Sequence, residues 1–74
     1  MMDSYDIYQI IGKNIKKYRK LKNINQEELA NITNLSYGFI KNLEAKNVHA
    51  TISIETLNII AGALDVKISD LFED

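Results

Sequence analysis

The 74-residue chain is 46% hydrophobic and suits one small domain, since it has no proline and no low-complexity tract that would mark a linker. It has no cysteine and one histidine, which excludes disulfides, thiolate metal sites and a Cys–His nucleophile pair. The net charge is −1 and the apolar runs fall far short of the roughly 20 residues that cross a membrane, so we expect a soluble cytoplasmic protein. The sequence also shows no glycine-rich phosphate loop and no convincing carboxylate pair, so we expect that it is not an enzyme and needs no cofactor.

The first predicted element is an amphipathic helix over about residues 6–21. Its apolar residues recur at spacings of three and four, which places them on one helical face. They are Ile7, Ile11, Ile15 and Tyr18. Asn23 can supply a left-handed residue beyond the helix end. Residues 1–5 are expected to fray.

Six basic residues crowd this helix and its end, and together they form the basic segment. They are Lys13, Lys16, Lys17, Arg19, Lys20 and Lys22. Residues 1–46 hold eight Lys or Arg against five Asp or Glu, a balance of +3, whereas residues 47–74 hold one against five, a balance of −4. A basic face attracts a polyanion even when the net charge is near zero. The solvated face of an ordinary amphipathic helix is the alternative.

Residues 25–46 contain two short helical patterns, each with its own start signal. Asn25 and Glu28 have the spacing of a capping box at the start of the first helix. Ser36 can cap the second helix. Asn34 falls where the chain must turn sharply, and asparagine tolerates the left-handed backbone better than most residues do. This spacing predicts a helix-turn-helix.

Two further apolar patterns follow a polar loop at residues 47–51. Ser53 can cap a fourth helix, and a short fifth helix should close the core from below. The predicted inner residues are Ile54, Leu57, Ile60, Ala61 and Leu64 on the fourth helix, and Val66, Ile68, Leu71 and Phe72 on the fifth. The apolar pattern therefore predicts an all-α fold, a compact five-helix bundle.

Several residues of the predicted helix-turn-helix match a family pattern. Gln26 opens the first helix, Ala30 is the small residue facing the turn, and Asn34 stands where the family usually has glycine. In the second helix the matching residues are Ile40, Leu43 and Glu44. The chain resembles the Xre/Cro family of phage and bacterial repressors, from about residue 11 to 72. The resemblance implies a lambda-repressor-like fold and one helix-turn-helix DNA-binding domain over residues 1–74.

The second helix of the motif is the predicted reading helix. B-form DNA admits one α-helix in its major groove, and the outer, N-terminal face of that helix reaches the base edges. Asn42 could pair with adenine, and Lys41 could donate to guanine or to a phosphate. The predicted base-reading residues are Ser36, Tyr37, Gly38, Lys41 and Asn42. An exposed polar face of an ordinary helix is the alternative.

Phosphate contacts should position the reading helix. The N-terminus of the helix beginning at Gln26 offers exposed N–H groups and a positive dipole end. The predicted phosphate-binding residues are Arg19, Asn25, Gln26, Lys46 and Asn47. His49 should be solvated or close to a phosphate. The family resemblance also implies an ion pair between Arg19 and Glu44, which would tie the first helix to the end of the reading helix.

The resemblance implies a homodimer that binds two half-sites of a double-stranded DNA operator. Ile59 and Gly62 lie opposite the inner face of the fourth helix, so we expect them to form the dimer interface, with a contribution from Ile52. A lone surface isoleucine is the alternative.

The most direct functional interpretation is a sequence-specific transcriptional regulator. It would be a dimeric repressor or a related controller protein of a restriction-modification system. An antitoxin with the same fold, or a protein-interaction module that does not bind DNA, remains an alternative, and a protein partner such as a toxin or an anti-repressor stays open. Steep weakening of duplex binding with salt would favour the DNA-binding function, because each neutralised phosphate releases counterions.

Overall fold

The structure, a computed structural model, describes residues 4–46 and 51–74. Four α-helices follow one another: α1 (Ser4–Leu21), α2 (Gln26–Thr33), α3 (Tyr37–Glu44) and α4 (Ile54–Ala63). A 3-10 helix at Ile68–Phe72 completes the chain, and no strand occurs in these ranges. The all-α prediction is confirmed. The prediction of five α-helices is wrong, since the last element is a 3-10 helix of five residues.

Helix α1 begins at Ser4, two residues before the predicted start. Residues 1–3, which were also expected to fray, lie outside the described residues. The helix ends at Leu21, and Asn23 has a φ of 61°, so its predicted left-handed conformation is confirmed. Ile11 and Ile15 are buried, whereas Ile7 is 36% exposed. The predicted apolar face of α1 therefore extends beyond the core at its N-terminal end.

Every helix contributes to one hydrophobic core. The fully buried large side chains are Ile15, Leu29, Ile40, Leu57, Ile60 and Leu71. Each such burial stabilises the fold by about 1.5–3 kcal/mol relative to an exposed side chain. Val66 and Ile68 are partly buried against the same core. None of the helices in the described ranges has the length and hydropathy needed to cross a bilayer.

Two residues predicted to face the core are exposed instead. Ile54 is 67% exposed, because it is the first residue of α4 and precedes the turn that packs inward. Phe72 is 43% exposed while its neighbour Leu71 is fully buried. A 3-10 helix has three residues per turn, so the Phe72 side chain points about 120° away from that of Leu71 around the helix axis. Phe72 therefore does not share the buried side of the helix with Leu71.

A close approach between α1 and α3 sets the depth of α3 in the fold. A Cβ atom added to Gly12 would lie 2.0 Å from the carbonyl oxygen of Leu43, so no larger residue fits there without moving one helix. Elsewhere, the buried Asn14 side chain donates hydrogen bonds to the carbonyl oxygens of Leu71 at 2.9 Å and Glu73 at 2.6 Å. These interactions fix both α3 and the C-terminal segment to α1.

Candidate nucleic-acid interface

The predicted caps of the helix-turn-helix are all present. At the start of α2, the Glu28 backbone N–H donates to Asn25 Oδ1 at 2.7 Å, and the Asn25 N–H donates to Glu28 Oε1 at 2.8 Å. At α3, Ser36 Oγ accepts from the Phe39 N–H at 3.1 Å. Asn34 has a φ of 60°, which confirms its left-handed conformation. Local hydrogen bonding therefore defines where both helices of the motif begin.

Helix α3 packs one face against the core and exposes the opposite face to solvent. Ile40 and Leu43 are buried on its inner side. All five predicted base-reading residues, Ser36, Tyr37, Gly38, Lys41 and Asn42, are exposed. The Nζ of Lys41 lies 6.0 Å from the centroid of the Tyr37 ring, since these residues are one turn apart. The described structure therefore leaves this face of α3 free to meet a ligand.

Arg19 and Glu44 form a bidentate ion pair between α1 and the last residue of α3. Arg19 Nε lies 2.8 Å from Glu44 Oε2, and Arg19 Nη2 lies 2.9 Å from Oε1. A third guanidinium hydrogen bond runs from Nη1 to the carbonyl oxygen of Ile24 at 2.8 Å. The hydrogen bond to Glu44 raises the pKa of Arg19 above its usual value and outweighs the opposing effect of burial.

Glu44 also binds α2, which sequence reasoning missed. Gln26 Nε2 donates to Glu44 Oε1 at 3.1 Å, so one carboxylate joins α1, α2 and α3. No sequence pattern reveals this hydrogen bond, because the two residues are 18 positions apart and belong to different helices. The predicted phosphate donors Arg19 and Gln26 are therefore both held by Glu44. The Arg19 side chain is only 9% exposed.

A shallow pocket of about 470 Å³ lies at the N-terminus of α2. Its lining includes Arg19, Lys20 and the exposed cap residue Asn25. The cap uses Oδ1 of Asn25, so the amide nitrogen of this exposed side chain takes no part in the cap. The pocket combines Arg19 and Lys20 with a helix N-terminus, which favours an anion, but its lining also includes the carboxylate of Glu28, which accepts from the Asn25 N–H.

The remaining predicted site residues lie apart from this pocket. Lys46 is exposed just beyond the end of α3. Asn47 and His49 lie outside the described residues. Ile59, 44% exposed, and Gly62 are both on the surface of α4. Ile52 instead packs against the core and lines an apolar groove that Ile59 and Gly62 do not border.

Comparison with known proteins agrees with this geometry. The model of the Cro/C1-type HTH DNA-binding domain family matches residues 14–74. This chain belongs to that family. The predicted Xre/Cro resemblance is thereby confirmed, and the match includes α2, α3, Arg19 and Glu44.

Two characterised relatives are similar to this Cro/C1-type domain in sequence. The control protein C.SmaI of Serratia marcescens is 38% identical over 66 residues, which cover 89% of this chain and 76% of that protein. The HTH-type transcriptional regulator SinR of Bacillus subtilis is 31% identical over 65 residues, covering 88% of this chain and 58% of SinR.

Solved structures show the same fold. The restriction-modification controller protein C.AhdI of Aeromonas hydrophila superimposes with a TM-score of 0.82 at 25% identity, covering 92% of this chain and all of that one. SinR in complex with DNA gives a TM-score of 0.78 at 32% identity, covering 85% of this chain and 98% of that one. The four α-helices of this domain therefore have the arrangement found in a member of the family that has been seen on DNA.

Proposed function

We propose that this Cro/C1-type domain is a dimeric transcriptional regulator that reads a double-stranded operator with α3. The observation that carries the proposal is the asymmetry of α3, which buries Ile40 and Leu43 and leaves Lys41 and Asn42 exposed. The family match and the DNA-bound SinR structure support it. C.SmaI is a control protein and C.AhdI is a restriction-modification controller protein, so a repressor or controller role in the cytoplasm is the specific form we propose.

Base recognition in this proposal belongs to the outer face of α3. Asn42 would form a bidentate pair with adenine, and Lys41 would donate to guanine, each pairing discriminating by about 1–3 kcal/mol against the wrong base. Tyr37 would contact a thymine methyl group, and Gly38 would allow the backbone to approach closely. Ser36 caps the helix at the same end.

Phosphate contacts would fix the angle at which α3 enters the groove. The N-terminus of α2 would bind one phosphate through Asn25 and Gln26, beside the pocket that Arg19 and Lys20 line. Lys46 and Asn47 would hold the backbone beyond the end of α3. Since Glu44 binds both Arg19 and Gln26, the reading helix and the phosphate-binding residues would move as one rigid unit.

Selection of bound duplexes from a random pool tests this function. We expect enrichment of two symmetric half-sites about one helical turn apart, as a two-fold dimer requires. The double variant Lys41→Ala/Asn42→Ala should lose the enriched sequence but keep salt-dependent binding to any duplex, since most phosphate contacts remain. Asn31→Ala, an exposed change on α2 outside the proposed base-reading and dimer surfaces, is the matched control and should select the wild-type sequence. A pool without enrichment would contradict the proposal and favour a protein-interaction module.

A further inference from the structure

A second concave surface lies between α1 and the end of α3, and we call it the lysine groove. Its volume is about 560 Å³, and its lining includes Lys13, Lys16 and Lys46. All three lysines are exposed. Lys13 and Lys16 are on α1, one turn apart, whereas Lys46 follows α3 by two residues. The fold thus brings to one surface three cations that are far apart in the sequence.

The lysine groove carries an excess of positive charge although the whole chain is at −1. The acidic residues in its lining are Glu44 and Asp74. The Glu44 side chain is 3% exposed, and its carboxylate already accepts hydrogen bonds from Arg19 and Gln26. The charge of Glu44 is thereby compensated, and the three lysines outnumber the one other acidic side chain of the lining, that of Asp74.

The lysine groove is adjacent to the face that would meet DNA. Glu44 lines it and is bonded to Arg19, which lines the pocket at the α2 N-terminus. Lys16 and Arg19 are three residues apart on α1 and therefore lie on neighbouring parts of its surface. A duplex that receives α3 in its major groove carries a phosphate backbone on each side of that helix, with closely spaced negative charges.

We propose that Lys13, Lys16 and Lys46 form a second phosphate-binding site, which holds the DNA backbone beyond the end of α3. This inference rests on the proposed function and extends it, because only Lys46 of the three was predicted to bind phosphate. Lysine suits the role, since its ammonium group is a mobile point charge that needs no fixed hydrogen-bond geometry. The carboxylate of Asp74 competes with the phosphate for the same lysines and weakens binding.

The test measures affinity for a fluorescent duplex of mixed sequence as salt is raised. Lys13→Gln and Lys16→Gln should each bind more weakly than the wild type, and each should lower the slope of log affinity against log salt by about 0.9 for every phosphate that is no longer neutralised. The ratio of wild-type affinity to variant affinity should therefore fall about threefold between about 50 and 200 mM salt. Lys13→Arg and Lys16→Arg keep the charge and should retain the wild-type slope.

Lys67→Gln is the matched control, since it removes one exposed positive charge outside the lysine groove. Asp74→Asn should have the opposite effect to the lysine variants and tighten duplex binding. If the wild type binds duplex but Lys13→Gln and Lys16→Gln behave like Lys67→Gln, the lysine groove is not a phosphate site and the proposed function stands. If the wild type shows no salt-dependent duplex binding, both proposals fall.

Discussion

Glu44 is the residue on which the geometry of the site depends. Its carboxylate accepts hydrogen bonds from Arg19 and Gln26 and is almost fully removed from solvent, with a side-chain exposure of 3%. A buried carboxylate is stable only when it is paired, because removing a charge from water costs several kcal/mol. The same bonds that compensate the charge of Glu44 therefore also fix α1 and α2 against the end of α3.

Arg19→Ala should lower the free energy of unfolding by about 3–5 kcal/mol, because it leaves Glu44 buried without its partner. Duplex affinity should fall as well, since the ion pair that orients the end of α3 against α1 is lost. Urea unfolding followed by circular dichroism gives the stability. Lys22→Ala, which breaks the exposed pair with Asp65, should cost at most about 1 kcal/mol. Unchanged stability and affinity in Arg19→Ala would refute the role of the pair.

At the scale of elements, two backbone features decide how α3 is presented. The first is the turn between α2 and α3, where Asn34 is left-handed and the Leu35 N–H donates to the Ala30 carbonyl oxygen at 3.0 Å. The second is the packing of Gly12 against Leu43, which lets α1 and α3 approach closely. The turn sets the angle between the two helices of the motif, and the glycine sets the depth of α3.

Replacing Asn34 tests the turn. Asn34→Ala should destabilise the fold by about 1–2 kcal/mol, since alanine pays the full steric cost of the left-handed backbone. Asn34→Gly should be at least as stable as the wild type, because glycine adopts this conformation without strain. Thermal unfolding of the three proteins would show the order. An alanine variant as stable as the glycine variant would contradict the assigned conformation.

Replacing Gly12 tests the close approach of the helices. Gly12→Ala places a methyl group against the Leu43 carbonyl, and the resulting overpacking should cost about 1–3 kcal/mol and displace α3. Duplex affinity should therefore fall more than in a surface variant. Gly38→Ala is the control for stability, since no heavy atom lies within 4 Å of the added Cβ, and it should stabilise α3 by at most about 1 kcal/mol.

At the scale of the whole molecule, charge and apolar surface are unevenly divided. The basic segment and the three lysines of the lysine groove belong to the first 46 residues, which carry +3, whereas residues 47–74 carry −4. Such a division leaves a basic face on a chain whose net charge is −1, as the proposed DNA-binding surface requires. The exposed apolar residues of α4, Ile54 and Ile59, lie in the acidic part, and Ile59 belongs to the surface that we propose as the dimer interface.

Ile59→Glu should convert the proposed dimer into a monomer, because a charge would be buried where the subunits meet. Sedimentation equilibrium measures the mass directly. Ile54→Glu is the matched control, since it makes the same change on α4 but lines the separate apolar groove. A dimer that survives Ile59→Glu but not Ile54→Glu would move the interface to that groove and to Ile52.

Much of the fold followed from local sequence signals. Caps, left-handed asparagines and apolar spacing predicted the helix boundaries at Asn25, Asn34, Ser36 and Ser53, because these features depend on residues within one turn of each other. The family resemblance added the Arg19–Glu44 pair. Predictions failed at the ends of elements, as at Ile54 and Phe72, where the spacing of apolar residues does not show how far packing continues.

By itself, the sequence determined the helix-turn-helix, its outward residues and the family to which the chain belongs. Tertiary structure alone decided that Gln26 binds Glu44 and that Gly12 packs closely against Leu43. It also decided that Lys13, Lys16 and Lys46 line one groove. The physical reason is how far apart along the chain the interacting residues lie. Hydrogen bonds within one turn leave a spacing that can be read along the chain, whereas interactions between helices depend on how the core packs and have no fixed spacing.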